Sequence, residues 1–195
     1  MLEAMKKIIN PDVVINYDSA KKQLKLKEDG ADSKVAELYI EHIPGNALAF
    51  TLDYQPQKDK QKFKQLSLYV NSTNDVGVNK GCDLIILWQD TKQKRALVFD
   101  LKSDKPKAQM TQKQLDNSEL FLKYLLSMAA VHYRIDTDGI KIDKAIVTTN
   151  ARNMRKRTTY QPNAETAQVG NYKIESVVAN SSRTACVSLR KLISA

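Results

Sequence analysis

Asp83, Asp100 and Lys102 are the residues of this chain whose types and spacing best suit chemistry at a metal ion. Two carboxylates provide the oxygen ligands that hard divalent cations such as Mg²⁺ prefer. An ammonium group beside them can stabilise negative charge that develops during a reaction. The three residues therefore predict a metal site with an ammonium group beside it, provided that the fold brings them together.

A β-hairpin would bring these residues together. Residues 84–88 and 96–101 are apolar runs joined by a polar stretch, which is the pattern of two buried strands and a turn. If the hairpin is symmetric about its midpoint, Asp83 and Asp100 face each other with Cβ atoms roughly 5 Å apart, close enough for one cation to contact both carboxylates. Lys102 lies two residues beyond Asp100, so the strand's period of two places it on the same face.

A simpler interpretation is that Asp83 and Lys102 are solvated strand ends and that Asp100 forms only a salt bridge with Lys102. Asp100, however, interrupts the otherwise apolar run 97–101, and we expect it where the strand is still covered. A covered carboxylate is costly without compensation, and cation coordination is one of the few ways to keep it charged. The position of Asp100 therefore favours a metal site.

Asp83, together with the Asp-Leu-Lys sequence that begins at Asp100, resembles the catalytic signature of the PD-(D/E)XK nuclease superfamily, which has the restriction-endonuclease-like fold. The resemblance covers residues 81–103. Cys82 stands where the signature has Pro, a position that commonly varies, and Asp100 replaces the more frequent Glu. The resemblance implies metal-dependent hydrolysis of phosphodiester bonds, with Asp83 and Asp100 as metal ligands and Lys102 as a catalytic residue.

The same resemblance implies two further site residues. Members often add a glutamate from an early helix to the metal shell, and we assign this role to Glu37 because apolar residues flank it; Glu41, on the same helical face, is the alternative. Either residue could instead be a solvated glutamate of an amphipathic helix. Members also place a Gln or Lys on the helix after the second strand. We assign Gln114, with Gln112 and Lys113 as neighbouring alternatives.

The implied chemistry uses one or two Mg²⁺ ions, for which Mn²⁺ can substitute, held by Asp83, Asp100 and Glu37. Metal binding would polarise the scissile phosphate and lower the pKa of a bound water. Lys102 would either help to deprotonate that water or stabilise charge on the transition state, and the sequence leaves both roles open. The alternative function is a basic protein on the same scaffold that binds nucleic acid or a partner without catalysis.

A short basic segment follows a predicted strand in the last quarter of the chain. It contains Arg152, Arg155, Lys156 and Arg157. Such a cluster can follow a phosphate backbone, and arginine can bind phosphate oxygens with two hydrogen bonds. A basic turn can also be only a solvated loop. We interpret the segment as a nucleic-acid contact, with DNA as the expected partner.

Composition agrees with this interpretation. The chain has 195 residues, which suits a single domain over 1–195, and its net charge of +9 favours a polyanionic partner. No apolar stretch approaches the roughly 20 residues that cross a bilayer, and the first residues lack the apolar region of a signal peptide. We therefore expect a cytoplasmic protein without membrane contact. A homodimer is expected if both strands of a duplex are cut.

The elements that must position the site are predicted from periodicity and turn residues. Strands are predicted at 13–17, 23–27, 47–54, 66–71, 144–149 and 172–179, besides the hairpin. One helix is predicted from residue 32 or 33 to residue 43, and a longer crossover helix over 111–134, while 183–193 fits either a strand or a helix. The expected class is α/β (α+β), a restriction-endonuclease-like fold whose central mixed β-sheet is flanked by helices.

Overall fold

The computed structural model describes residues 1–28, 33–54, 66–67, 69–71, 76–91, 93–102, 108–149 and 171–194. Its helices are α1 (Leu2–Ile8), α2 (Ala108–Tyr133) and α3 (Leu189–Leu192), with a 3-10 helix at Pro11–Val13. Its strands are β1 (Tyr17–Asp18), β2 (Gln23–Lys27), β3 (Glu37–Glu41), β4 (Leu48–Phe50), β5 (Leu84–Gln89), β6 (Lys94–Lys102), β7 (Lys141–Thr148), β8 (Lys173–Ser176) and β9 (Thr184–Ser188).

The strands form two sheets. The five-stranded sheet has the order β4-β5-β6-β7-β8, and the four-stranded sheet has the order β1-β2-β3-β9. In the larger sheet, β4, β5 and β6 pair in antiparallel fashion, whereas β6, β7 and β8 are parallel. Helix α2 is the crossover that parallel β6 and β7 require. In the smaller sheet, β3 pairs with β9 in parallel fashion.

The five-stranded sheet is covered on both faces, which explains why its central strands are continuous apolar runs. One face packs against the four-stranded sheet and α3, in a cluster that includes Leu38, Ile40, Ile86, Phe99 and Val187. The other face packs against α1 and α2, in a cluster that includes Met5, Ile85, Val98, Leu122 and Leu126.

Helix α2 lies on the sheet through one stripe of buried residues at helical spacing. These residues are Thr111, Leu115, Ser118, Leu122, Leu126 and Ala129. The predicted crossover helix over 111–134 is confirmed, and it begins slightly earlier than expected. The two polar members of the stripe, Thr111 and Ser118, lie in its first half, toward the end of the sheet that carries Asp83 and Asp100.

The helix predicted from residue 32 or 33 to residue 43 is wrong, because residues 37–41 form β3. Leu38 and Ile40 alternate with more exposed neighbours in a period of two, and β2 and β9 supply pairing partners on both sides. Ser33, at the predicted start of that helix, instead donates its hydroxyl to the carbonyl of Val35 at 2.7 Å. Tertiary pairing has overridden a weak helical pattern.

The strand predicted over 66–71 is also absent from the described residues of that segment, which form bends, a turn and irregular backbone. The side chain of Asn79 forms hydrogen bonds with backbone groups that would pair with a neighbouring strand if this segment were a strand. Its Oδ1 accepts the amide of Ser67 at 3.2 Å, and its Nδ2 donates to the carbonyl of Val70 at 3.0 Å. Such local side-chain bonds compete with sheet pairing.

The mixed α and β composition predicted from the sequence is confirmed. The central mixed sheet is present: α1 and α2 cover one of its faces, and the second sheet together with the short α3 covers the other. The ambiguous segment 183–193 contains both alternatives, β9 followed by α3. In the part of the chain that the structure describes, none of the helices is both long and apolar enough to cross a membrane.

Candidate functional site

The hairpin formed by β5 and β6 has the register that the sequence predicted. Leu84 pairs with Phe99, and the next pairs along the ladder continue toward the turn. Extending the same register by one residue places Asp83 opposite Asp100. The two carboxylates therefore end on one face of the sheet, the face covered by α2, where Val98 and Ile85 are buried.

The two carboxyl groups of this pair differ in their surroundings. Asp83 Oδ2 accepts the backbone amide of Leu101 at 2.6 Å, so the side chain of Asp83 reaches across to the neighbouring strand. Asp100 is completely buried, in agreement with the prediction that it lies where the strand is still covered. The site thus combines a carboxyl group that bulk water does not reach, that of Asp100, with a partly buried one that is fixed by a backbone amide, that of Asp83.

Lys102 and Gln114 complete a hydrogen-bonded network around Asp100. Lys102 Nζ lies 2.5 Å from Asp100 Oδ2 and donates to Gln114 Oε1 at 3.2 Å. Gln114 Nε2 donates to Asp100 Oδ1 at 3.2 Å and to the carbonyl of Gly81 at 2.6 Å. One glutamine from α2 therefore joins the lysine, the buried carboxylate and the backbone just before Asp83.

The carboxyl pair is strongly perturbed. Burial raises the pKa of Asp83 well above its ordinary range, and the adjacent Asp100 raises it further. Burial also raises the pKa of Asp100, although Lys102 opposes the shift. Two crowded carboxyl groups, one completely and one partly buried, cannot both ionise readily without a metal ion. In the absence of a metal ion, the pair therefore tends to retain a proton.

Lys102 keeps its charge in this arrangement. Burial acts to lower the pKa of Lys102, but Asp100 and Asp83 outweigh burial, so the net shift is upward. Asp53, just beyond the end of β4, contributes to the upward shift and also raises the pKa of Asp100. Sequence reasoning missed Asp53, because its nearness depends on the pairing of β4 with β5, which no local pattern indicates.

The structure does not bring Glu37 to this site. Glu37 lies on β3 of the four-stranded sheet, where it forms an ion pair with Lys25 and accepts a hydrogen bond from Tyr39 at 3.0 Å. Glu41, the alternative, accepts from Gln23 on β2 at 3.4 Å. The assignment of Glu37 relied on an early helix, and that premise fails because the segment is a strand.

The neighbours of Gln114 on α2 contact other groups. Gln112 donates to Asp116 Oδ1 at 2.6 Å, and Lys113 is exposed on the outer side of the helix. Of the three candidates, Gln114 is the one that contacts Asp100 and Lys102. The basic residues Arg152, Arg155, Lys156 and Arg157 lie outside the described residues.

The donor set fits a Mg²⁺ ion. The described parts of the chain contain no cluster of three or more His, Cys, Asp or Glu side chains that could hold a metal. Mg²⁺ does not require such a cluster, since it usually keeps several waters and binds through one or two carboxylates plus substrate phosphates. A cation at Asp83 and Asp100 would also offset the burial that raises the pKa of both groups.

The comparisons with known proteins add no relative to these observations. Comparisons of the chain with protein-family models, with curated proteins and with solved structures found no match.

Proposed function

We propose that this protein is a metal-dependent nuclease that hydrolyses phosphodiester bonds, with DNA as its substrate. The observation that carries the proposal is the pairing of the completely buried Asp100 with the partly buried Asp83, directly beside the charged Lys102. These are the residue types, in the strand positions, that the resemblance to the PD-(D/E)XK nuclease superfamily requires. The mixed sheet and the helix that follows β6 support the same assignment.

In this proposal, Asp83 and Asp100 hold the cation. Bound Mg²⁺ would supply positive charge that polarises the scissile phosphate and acidifies a water molecule. The anchored carboxyl group of Asp83 and the completely buried Asp100 keep the ligand oxygens fixed before substrate arrives. Ligands that need no rearrangement in the reaction are the general basis of electrostatic catalysis.

Lys102 acts as an electrostatic stabiliser in this proposal. The upward shift of its pKa means that Lys102 is an ammonium ion at neutral pH, which suits it to oppose charge that develops on the phosphate. Gln114 Oε1 holds the lysine at 3.2 Å and fixes the direction of its Nζ. Loss of Gln114 would leave the positive charge of Lys102 but would remove the hydrogen bond that orients its Nζ.

The test is an assay of cleavage with the purified full chain. Plasmid DNA, linear duplex DNA, single-stranded DNA and RNA are each incubated with Mg²⁺, Mn²⁺ or EDTA. We expect cleavage of DNA with either metal and none with EDTA. The Asp100→Asn variant, purified identically, controls for contaminating nucleases. Equal cleavage by the variant and the wild type would overturn the proposal.

The same assay separates the proposal from a binding protein without catalysis. The ion pair between Lys102 and Asp100 favours that second function, because it partly neutralises the buried carboxylate without any metal. Binding of nucleic acid that is equal with Mg²⁺ and with EDTA, and without product in either, would identify such a protein.

The free energy of unfolding should depend on pH because of the carboxyl pair formed by Asp83 and Asp100. The pKa of Asp83 and of Asp100 is raised above the ordinary value of 3.8 in the folded chain, so the folded state holds more protons than the unfolded state above that pH. The contribution of these protons to the free energy of unfolding is therefore complete below that pH. It is lost as the pH rises, by up to about 1.4 kcal/mol per pH unit for each retained proton.

Thermal melts of wild type and Asp100→Asn between about pH 5 and pH 8 would measure this dependence. In EDTA, the wild type should lose stability relative to the variant as the pH increases, since the variant has one carboxyl group fewer. Mg²⁺ or Mn²⁺ should raise the melting temperature of the wild type but not of the variant. Equal metal shifts in the two proteins would place the ion elsewhere.

The basic segment gives a separate prediction about substrate binding. Replacement of Arg155 and Arg157 together by Gln should weaken binding similarly for unrelated DNA sequences. It should also flatten the slope of log affinity against log salt by roughly 0.9 per lost phosphate contact. A double replacement of Lys21 and Lys22, which removes the same charge from the turn after β1, is the matched control. Identical salt slopes for the two double variants would contradict a role in phosphate binding.

A further inference from the structure

One polar face of α2 contacts the backbone that leads into Asp83. Gln114, Asn117 and Ser118 are spaced three and four residues apart, so they share a side of the helix. Their side chains bond to backbone groups within residues 77–82. We call these three residues the α2 clamp.

Ser118 makes the most buried of these contacts. Its Oγ accepts the amide of Cys82 at 2.8 Å and donates to the carbonyl of Gln114 at 2.9 Å. Both Ser118 and Cys82 are completely inaccessible to solvent. An amide buried at this depth needs a partner, so loss of the hydroxyl would leave the nitrogen of Cys82 unsatisfied.

Asn117 and Gln114 donate hydrogen bonds to backbone carbonyls that precede that amide. Asn117 Nδ2 donates to the carbonyl of Gly77 at 2.9 Å and to that of Lys80 at 3.4 Å. Gln114 Nε2 donates to the carbonyl of Gly81 at 2.6 Å. The backbone is therefore fixed at successive residues up to Cys82.

We propose that Asn117 and Ser118 are positioning residues for Asp83. The residues of the clamp fix the backbone immediately before Asp83, and the carboxyl group of Asp83 is anchored to the amide of Leu101 on β6. The relative placement of Asp83 and Asp100 thus depends on how α2 lies against the start of β5. The inference rests on the proposed function, since it assumes that this placement serves to hold a cation.

The chain supplies a matched control for Ser118. Ser127 is another serine of α2, and its Oγ likewise donates to the carbonyl four residues before it, Lys123, at 2.9 Å. Ser127 is exposed and bonds to no strand or loop in the hydrogen bonds shown for the described residues. Ser127→Ala therefore removes the same helix bond as Ser118→Ala but spares the backbone before Asp83.

Amide hydrogen exchange of the metal-free protein tests the clamp without relying on metal binding. Ser118→Ala should speed exchange at Cys82 about tenfold, and it should also speed exchange at Leu101, whose amide is bonded to Asp83. Ser127→Ala should change neither. Unchanged protection at Leu101 in Ser118→Ala, with faster exchange at Cys82, would overturn the proposal. If Ser118→Ala does not fold, Asn117→Ala replaces it in the test. This change lies at a partly exposed position and should also speed amide exchange at Cys82 and Leu101.

Mn²⁺ titration by calorimetry provides the second measurement. Loss of a residue that supports a metal ligand typically costs tenfold or more in metal affinity, and we expect about this loss in Ser118→Ala or Asn117→Ala. Wild-type affinity in both variants would contradict the positioning role. Failure of the wild type to bind Mn²⁺ would defeat the proposed function instead, and the exchange at Leu101 would still decide whether the clamp positions Asp83.

Discussion

Asp100→Asn is expected to abolish metal-dependent cleavage while leaving the fold intact. The substitution keeps the shape of a side chain that is completely buried, but it removes a carboxylate that no other described residue replaces at that position. Loss of several kcal/mol of charge stabilisation corresponds to a rate lower by about three orders of magnitude. Initial rates of cleavage of labelled DNA, with circular dichroism to verify folding, provide the measurement.

Asp83→Ala and Lys102→Ala should have comparable effects for different reasons. Asp83→Ala removes the second cation ligand, together with the carboxyl group that accepts the amide of Leu101. Lys102→Ala leaves both carboxylates but removes the ammonium ion beside Asp100. We therefore expect metal to stabilise Lys102→Ala against heat but not to stabilise Asp83→Ala.

Asp143→Asn is the control for these variants. Asp143 is also a buried aspartate beside a cation, since its Oδ2 accepts from Arg95 at 2.8 Å, but it lies on the opposite face of the sheet from Asp100. It should lower stability and retain cleavage when assayed well below its melting temperature. Full activity of folded Asp100→Asn, or equal loss of activity in Asp143→Asn, would refute the assignment.

Gly81→Ala is expected to damage both stability and the site. A Cβ atom at this position would lie 2.7 Å from the Cβ of Leu52 and 3.1 Å from its carbonyl oxygen, so the backbone would have to move. Such overpacking typically costs about 1–3 kcal/mol. The movement would also disturb the carbonyl that Gln114 Nε2 contacts, two residues before Asp83. Denaturant unfolding and Mn²⁺ affinity would measure the two effects.

Gly45→Ala provides the comparison, because an added Cβ there meets no atom within 4 Å. It should change the free energy of unfolding by no more than about 1 kcal/mol and leave Mn²⁺ affinity unchanged. Similar losses in the two variants would show that the contact between Gly81 and Leu52 does not matter.

The core of the candidate site could be predicted because its determinants are local. Two apolar runs and a short turn fix the register of β5 and β6, and that register alone places Asp83 opposite Asp100. Gln114 was assigned because the resemblance places a Gln or Lys on the helix after the second strand, and α2 does begin soon after β6.

The parts that sequence failed to predict depend on partners far away in the chain. Residues 37–41 read as a helix because the pairing that makes them a strand comes from β2 and β9. The misplaced Glu37 followed from that error. Asp53 was missed for the same kind of reason: its charge raises the pKa of Asp100 because β4 pairs with β5, which brings the two residues near each other. Local patterns do not contain such long-range pairing.

The parallel ladder between β3 and β9 joins residues 37–41 to residues 184–188. During synthesis, β5 and β6 leave the ribosome together and can pair at once, whereas β3 must wait until residues 184–188 have been made. A growing chain therefore has its carboxylate hairpin formed while one edge of β3, with its apolar Leu38 and Ile40, still lacks a partner. We expect chaperones to bind the nascent protein at that edge. If the chain is released from the ribosome before β9 is made, we expect it to aggregate through the same edge.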